Sequence, residues 1–133
     1  AKFLFCNLAP LKDIQALVEA GEIEAYVITG RYSFLKSDFQ RWLKRIGAKN
    51  IFKEWYLNDQ DEQPHLFKHR KIQELNLDVF IEDNWDIVKH LSENHSQLKT
   101  LWIYNVFDKK IDYPLKFPSL KKVAEYLQSL TNL

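Results

Sequence analysis

The stretch Asp78-Val79-Phe80-Ile81-Glu82-Asp83-Asn84 decides how the fold is interpreted. It begins as a short apolar run, which is typical of a buried strand. The run then stops at two carboxylates and an amide, and Ile87, Val88 and Leu91 follow at helical spacing. A strand, a polar turn and a helix in this order indicate a βα unit that carries two acidic residues at the carboxyl end of its strand.

The same alternation of short apolar runs and helical stripes continues in both directions from this unit. Further strands are predicted at residues 25–29, 51–57 and 101–104. Further helices are predicted at residues 10–21, 35–46, 65–75 and 119–130. The order α-β-α-β-α-β-α-β-α predicts an α/β fold, a Rossmann-like three-layer α/β/α sandwich with a mainly parallel sheet. At 133 residues, the chain has the length of one domain spanning 1–133.

The composition of the chain bears on three questions, namely whether it binds nucleic acid, whether it binds a membrane and where in the cell it is located. The chain is 46% hydrophobic, with 19 basic and 18 acidic residues and a net charge of +1, so nucleic acid is an unfavoured partner. A predicted helix has a basic face formed by Lys36, Arg41, Lys44 and Arg45, and this face is weak evidence for a nucleic-acid partner. Cys6 is the single cysteine and no apolar run approaches the ~20 residues of a membrane span, so we expect a cytoplasmic location and no membrane partner.

Ligands of parallel sheets bind beyond the carboxyl ends of the strands, so the residues there are the candidate site. Thr29-Gly30-Arg31 ends one predicted strand. Its hydroxyl and amide groups at a helix entrance suit a phosphate, although a plain turn that uses Gly for its backbone freedom is the alternative. Glu82 and Asp83 end another strand, where adjacent carboxylates repel one another unless a cation or a helix N-terminus stabilises them. Mg²⁺ suits such oxygen ligands, and the alternative is that Asp83 merely caps the next helix, a role that Asn84 would also fill well.

Lys68 lies fourteen positions before Glu82, within the cationic stretch Phe67-Lys68-His69-Arg70-Lys71. Such a stretch is usually a solvated helix face. A lysine close to both a phosphate and a carboxylate pair has a second role, because it pairs with both anions.

Taken together, these three stretches resemble haloacid-dehalogenase-like (HAD-like) phosphatases. Val27-Ile28-Thr29-Gly30-Arg31 is similar to the second motif of that superfamily, Lys68 to its third-motif lysine, and Val79 to Asn84 to its fourth motif. Lys71 is a neighbouring candidate for the third-motif lysine.

This resemblance implies Mg²⁺-dependent hydrolysis of a phosphomonoester through an aspartyl-phosphate, with a small phosphorylated metabolite or nucleotide as substrate. It implies that Thr29 binds the phosphoryl group, with Gly30 and Arg31 as further substrate contacts. It also implies that Lys68 steadies phosphate and nucleophile, and that Glu82 and Asp83 hold Mg²⁺.

The first motif of the superfamily, a strand followed by Asp-x-Asp-Gly-Thr, does not occur in the 133 residues. The nearest counterpart is the strand-like run from Phe3 to Pro10, in which Asn7 replaces the nucleophile and Ala9 the acid/base. An amide cannot attack phosphorus, and Ala9 cannot shuttle a proton. The chain is therefore either a fragment that lacks the first-motif strand or a catalytically inactive binding or regulatory module. The short interval from Asn7 to Thr29 and the absence of methionine favour the fragment.

Two further groups of residues are interpreted as structural. Strand aromatics usually pack in the core or at sheet edges, and we expect this of Tyr26, Trp55, Tyr56, Trp85, Trp102 and Tyr104. The chain has four histidines, namely His65, His69, His90 and His95. We expect no ligand-like convergence of these residues, and we expect His90 and His95 at the surface.

Overall fold

The computed structural model describes residues 9–32 and 36–131. Within these ranges the helices are α1 (Ala9–Glu19), α2 (Lys36–Arg45), α3 (Pro64–Leu75), α4 (Trp85–Asn94) and α5 (Leu120–Thr131). The strands are β1 (Tyr26–Tyr32), β2 (Glu54–Asn58), β3 (Val79–Glu82), β4 (Lys99–Ile103) and β5 (Lys116–Phe117). Helices and strands alternate up to β4, which confirms the prediction of an α/β fold.

The strands of the described residues form two parallel sheets. In the first, β1 pairs with β2, with Val27 opposite Trp55. In the second, β4 lies between β3 and β5, with Glu82 opposite Trp102. Parallel pairing places the carboxyl ends of the strands within each sheet at the same edge, which is the edge on which the candidate residues were predicted.

The two faces of β1 and β3 pack against different helices, because successive side chains on a strand point to opposite faces. Val27 and Ile81 belong to one buried cluster, which contains Leu11, Ile14 and Leu17 of α1, Phe39 and Leu43 of α2, and Leu120, Val123, Ala124 and Leu127 of α5. Ile28 and Phe80 belong to a second cluster, which contains Phe67 and Ile72 of α3 and Leu91 of α4. Both strands are therefore buried on both faces, as expected of parallel strands.

Two differences from the sequence prediction have a local reason. β2 begins at Glu54 rather than at 51, because a 3-10 turn at Ala48–Asn50 precedes it and Phe52 donates its amide to Ala48 at 2.7 Å. β5 was missed because it consists of two residues directly before Pro118, within a segment that has no periodicity. Of the predicted counterpart of the first-motif strand, Phe3 to Pro10, residues 3–8 lie outside the described residues, and Ala9 and Pro10 belong to α1.

No helix in the described ranges combines the length and the apolar character that crossing a bilayer requires.

Candidate functional site

The close approach of α3 to the end of β1 depends on Gly30. A Cβ atom built at this position would lie 2.8 Å from Cβ of Pro64 and 3.3 Å from Cε of Lys68. Pro64 occupies the first turn of α3, where its missing N–H and fixed φ are tolerated. A glycine at the end of β1 therefore lets α3 lie directly against the strand and brings Lys68 to this edge of the structure.

Lys68 and Glu82 form a buried ion pair between α3 and the last residue of β3. Their side chains are 1% and 0% exposed, and Nζ of Lys68 donates to Oε2 of Glu82 at 2.7 Å. The other carboxylate oxygen, Oε1, accepts hydrogen bonds from the amides of Asp83 and Asn84 at 3.0 and 3.2 Å. Both oxygens of Glu82 thus have partners, which is the condition under which a buried charge is tolerated.

The identity of the lysine at this site is settled by its partner. Lys71 pairs with Glu74 at 3.1 Å, and its Nζ lies 4.8 Å from the centre of the Tyr56 ring. Lys68 is the one of the two that reaches Glu82. Of the two lysines that the sequence left open, Lys68 is therefore the one that contacts Glu82, and its correspondence to a third-motif lysine stays a prediction.

Asn84, and not Asp83, caps α4. Its Oδ1 accepts hydrogen bonds from the amides of Asp86 and Ile87 at 2.9 and 3.4 Å. The alternative interpretation of Asp83 as the cap is therefore wrong, because the amide side chain one position later occupies that role. The side chain of Asp83 is half-buried, and its carbonyl oxygen accepts from Nε1 of Trp102 at 3.1 Å.

Asn58 is a structural residue of the site that the sequence interpretation missed. It is fully buried at the end of β2, and its Nδ2 donates to the carbonyl oxygens of Gly30 at 3.2 Å and Glu62 at 2.7 Å. Its Oδ1 accepts from the amide of Glu62 at 2.9 Å. Asn58 thereby ties the end of β1 to the loop that leads into α3. The available signal was its position as the first polar residue after the predicted strand at 51–57.

Thr29 is 3% exposed and lies opposite Leu57, just before the pairing of β1 and β2 loses its regular register. The irregularity falls between Thr29 and Tyr32, so the backbone of Gly30 and Arg31 departs from the ladder at this edge. The side chain of Arg31 lies outside what the structure describes. Its predicted contact with substrate stays a prediction.

Aromatic side chains support the β3 end of the site from the neighbouring strand. Trp102 is fully buried, and its ring centre lies 4.7 Å from that of Trp85 and 6.2 Å from that of Tyr113. Tyr113 donates its hydroxyl to the carbonyl of Thr100 at 2.6 Å, and burial raises the pKa of this phenol. The packing role expected of Trp85 and Trp102 agrees with these contacts.

The predicted residues Gly30, Lys68 and Glu82 are joined in one chain of contacts, with Thr29 and Asp83 as their direct neighbours in sequence. β1 and β3 do not pair with each other within the described residues, and α3 bridges their carboxyl ends through Lys68. In the described part of the chain, no three His, Cys, Asp or Glu side chains are arranged to hold a metal ion. The predicted roles of Thr29, Lys68, Glu82 and Asp83 in catalysis and metal binding stay predictions.

No protein-family model matches this chain, and no curated protein sequence matches it either.

Proposed function

We propose that this chain is a cytoplasmic, HAD-like phosphomonoester-binding domain in which the two parallel sheets belong to a Rossmann-like three-layer sandwich. The phosphoryl group binds at the carboxyl edge of β1 and β3, at Thr29, Gly30 and Lys68. The observation that carries this proposal is the buried ion pair of Lys68 and Glu82, which packs against Gly30 and so joins the ends of both strands.

The ion pair is neutral overall but fixes the position of one cationic group at the site. Glu82 holds the ammonium of Lys68 in place and compensates its charge when no ligand is present. A phosphate beside Gly30 adds a second anion to the same ammonium, and hydrogen bonds between charged groups are the strong ones. The hydroxyl of Thr29 and the backbone amides where β1 leaves its ladder supply neutral donors for the remaining phosphoryl oxygens.

The Mg²⁺ that the resemblance implies fits Asp83 better than Glu82. Both oxygens of Glu82 are engaged by Lys68 and by two backbone amides, whereas Asp83 is half-buried at the entrance to α4. One carboxylate, phosphate oxygens and water are a usual Mg²⁺ ligand set in proteins. When bound, the ion screens the negative charge of the phosphoryl oxygens.

Hydrolysis through an aspartyl-phosphate requires a nucleophile, and the 133 residues contain no Asp-x-Asp-Gly-Thr. For an intact parent that supplies this Asp, we propose Mg²⁺-dependent phosphomonoester hydrolysis with a small phosphorylated metabolite or nucleotide as substrate. The second candidate is a binding or regulatory module without turnover. It is favoured by the same missing motif.

The test of the binding site is the shift in melting temperature caused by inorganic phosphate, with and without Mg²⁺. A ligand that binds the folded state at about 100 times its dissociation constant raises stability by about 2.7 kcal/mol, so a specific site gives a clear shift. Thr29→Val should abolish most of the phosphate shift. Thr100→Val is the matched control, because Thr100 is another buried strand threonine, 1% exposed, whose Oγ1 has no hydrogen-bond partner in the described structure.

Asp83→Asn separates the metal from the phosphate. This variant should keep the response to phosphate alone and lose the additional response to Mg²⁺, because an amide is a much poorer ligand for that ion. The cap of α4 is unaffected, since Asn84 provides it. The proposal is wrong if phosphate produces no shift in the unmodified chain, or if Thr29→Val and Thr100→Val respond alike.

Turnover is tested with p-nitrophenyl phosphate and Mg²⁺. We expect no measurable hydrolysis, because loss of the covalent step and its proton transfer removes several orders of magnitude in rate. Hydrolysis that copurifies with the chain and disappears in Asp83→Ala would show that a nucleophile is present among these 133 residues.

A further inference from the structure

Four histidines that are spread along the sequence converge between α3 and α4. His65 and His69 lie on α3, His90 lies on α4, and His95 follows the end of α4. The ring centres of His69 and His95 are 4.3 Å apart, those of His65 and His90 are 5.1 Å apart, and those of His69 and His90 are 6.0 Å apart. The sequence interpretation concerned only convergence of these residues as metal ligands, and it did not predict that their rings lie close together.

The shortest contact in this histidine cluster is a hydrogen bond between two imidazoles. Nε2 of His95 lies 2.7 Å from Nδ1 of His69. Such a bond needs one ring nitrogen to donate and the other to accept. The pair can therefore hold one additional proton on a nitrogen outside the bond. A second additional proton turns both nitrogens of the bond into donors and places two positive charges on rings 4.3 Å apart.

The surroundings of His95 disfavour its charged form. Burial is the main cause that lowers the pKa of His95, and positive charge on His69 and His90 lowers it further. In the cleft beside His95, Asp78 is the one carboxylate among the described lining residues, and its side chain is exposed. No carboxylate contributes to the lowered pKa of His95.

The other charged side chains on the two helices are paired or exposed. On α3, the cations on either side of His69 bind carboxylates, Lys68 with Glu82 and Arg70 with both Glu62 and Glu74. On α4, the charged side chains are exposed, namely Asp86, Lys89 and Glu93. A second proton in the histidine cluster therefore finds little compensating charge.

We propose that the histidine cluster is a proton-sensitive lock between α3 and α4, which is closed while His69 and His95 share at most one additional proton and opens with the second. His69 directly follows Lys68, so opening the lock loosens the helix that carries the lysine of the ion pair. An effect of acid on phosphate binding rests on the proposed function. The lock itself does not.

The direction of the pH dependence follows from linkage. A histidine whose pKa is lower in the folded state than in the unfolded state binds its proton more readily when the chain unfolds. Its contribution to stability is complete above the unfolded pKa of about 6.5 and is lost as the pH falls from there to the lower folded value. Over that window, one such proton changes the unfolding equilibrium constant by up to about tenfold per pH unit.

The test compares urea unfolding of the unmodified chain with that of His95→Gln at several pH values between 8 and 5, in the presence of EDTA. Glutamine keeps a hydrogen-bonding amide but takes up no proton in this range. Below about pH 6.5, the unfolding constant of the unmodified chain should rise relative to that of His95→Gln by up to about tenfold per pH unit. His65→Gln is the control, because His65 contacts His90 and not the bonded pair, and this variant should follow the unmodified chain.

Parallel pH profiles for the unmodified chain and His95→Gln would overturn the proposal. If His95→Gln does not fold, NMR titration of the unmodified chain decides instead. His95 must then titrate below the ordinary value of about 6.5, and an ordinary midpoint for all four rings rules the lock out. A pH effect that requires added Zn²⁺ and vanishes with EDTA would also overturn it, because the cluster would then act as a metal site.

Discussion

Replacing Lys68 with methionine tests the ion pair that holds the candidate site together. Methionine has an unbranched side chain of similar length, so the change removes the charge while keeping much of the packing. At an effective dielectric constant of about 20, opposite unit charges 2.7 Å apart attract by ~6 kcal/mol, and desolvation of both ions offsets most of this. Removing one partner of a buried pair leaves the desolvation of the other uncompensated, which typically costs about 3–5 kcal/mol.

For Lys68→Met we expect the lower end of that range. Glu82 keeps two hydrogen bonds, from the amides of Asp83 and Asn84 at 3.0 and 3.2 Å, and these continue to stabilise its carboxylate. We therefore predict a loss of about 3 kcal/mol in the free energy of unfolding.

The double variant Lys68→Met/Glu82→Gln should be more stable than Lys68→Met alone. The glutamine Oε1 still accepts from the two amides, and no buried charge remains. The cycle of single and double variants then gives a clearly non-additive result, as expected of residues in direct contact.

The assay is urea denaturation followed by tryptophan fluorescence, since the chain has four tryptophans. Lys122→Met is the matched control, because the 3.2 Å pair of Lys122 and Glu125 has more than half of each side chain exposed. The control should change stability by less than about 0.5 kcal/mol. The description of Lys68 and Glu82 as a buried pair is refuted if Lys68→Met is within about 1 kcal/mol of the unmodified chain, or if the two single changes add.

Two further variants test the supports of the site by the same denaturation assay. Gly30→Ala should cost about 1–3 kcal/mol, because the new methyl group meets the rigid ring of Pro64 at 2.8 Å, and unchanged stability would mean that α3 does not lie against β1 as described. Asn84→Ala should lower the free energy of unfolding by about 1 kcal/mol and speed hydrogen exchange at the amides of Asp86 and Ile87. An equal effect of Asp83→Ala on these two amides would show that Asp83 caps α4.

The sequence predicted the fold class because the information needed was local. Buried parallel strands are apolar throughout, as at Val79 to Ile81, and the helices carry stripes at the period of 3.6 residues. β5 lacked both signals, since a strand of two residues has no period to detect. The start of β2 was misplaced because Ile51 and Phe52 are core residues that directly follow a 3-10 turn, and burial alone does not distinguish such a connection from a strand.

The candidate site was predictable to the extent that its residues lie at strand ends. Thr29, Gly30, Glu82 and Asp83 follow apolar runs directly, so the rule for parallel sheets identifies them without any knowledge of tertiary contacts.

The remaining features depend on contacts between elements that are distant in the sequence. The contacts of Asn58 with Gly30 and Glu62 require the relative placement of two strands and a loop. The histidine cluster requires the packing of α3 on α4, which joins His69 to His95 across 26 positions of sequence. No local pattern encodes these contacts, although the position of Asn58 directly after an apolar run marks it as a strand end.

The structure also changes the physical argument about the two acidic residues. Adjacent carboxylates repel one another unless a cation or a helix N-terminus stabilises them, and Mg²⁺ was the predicted cation. In the fold, Lys68 is the cation that stabilises Glu82, because the two side chains form a buried ion pair. Repulsion between the two carboxylates is then no evidence for Mg²⁺. The proposed Mg²⁺ ligand is therefore Asp83, which does not cap α4 because Asn84 does. For this reason Glu82 should be judged by stability and Asp83 by its response to ligand, and an experiment that mutates both at once would confuse a structural ion pair with a binding residue.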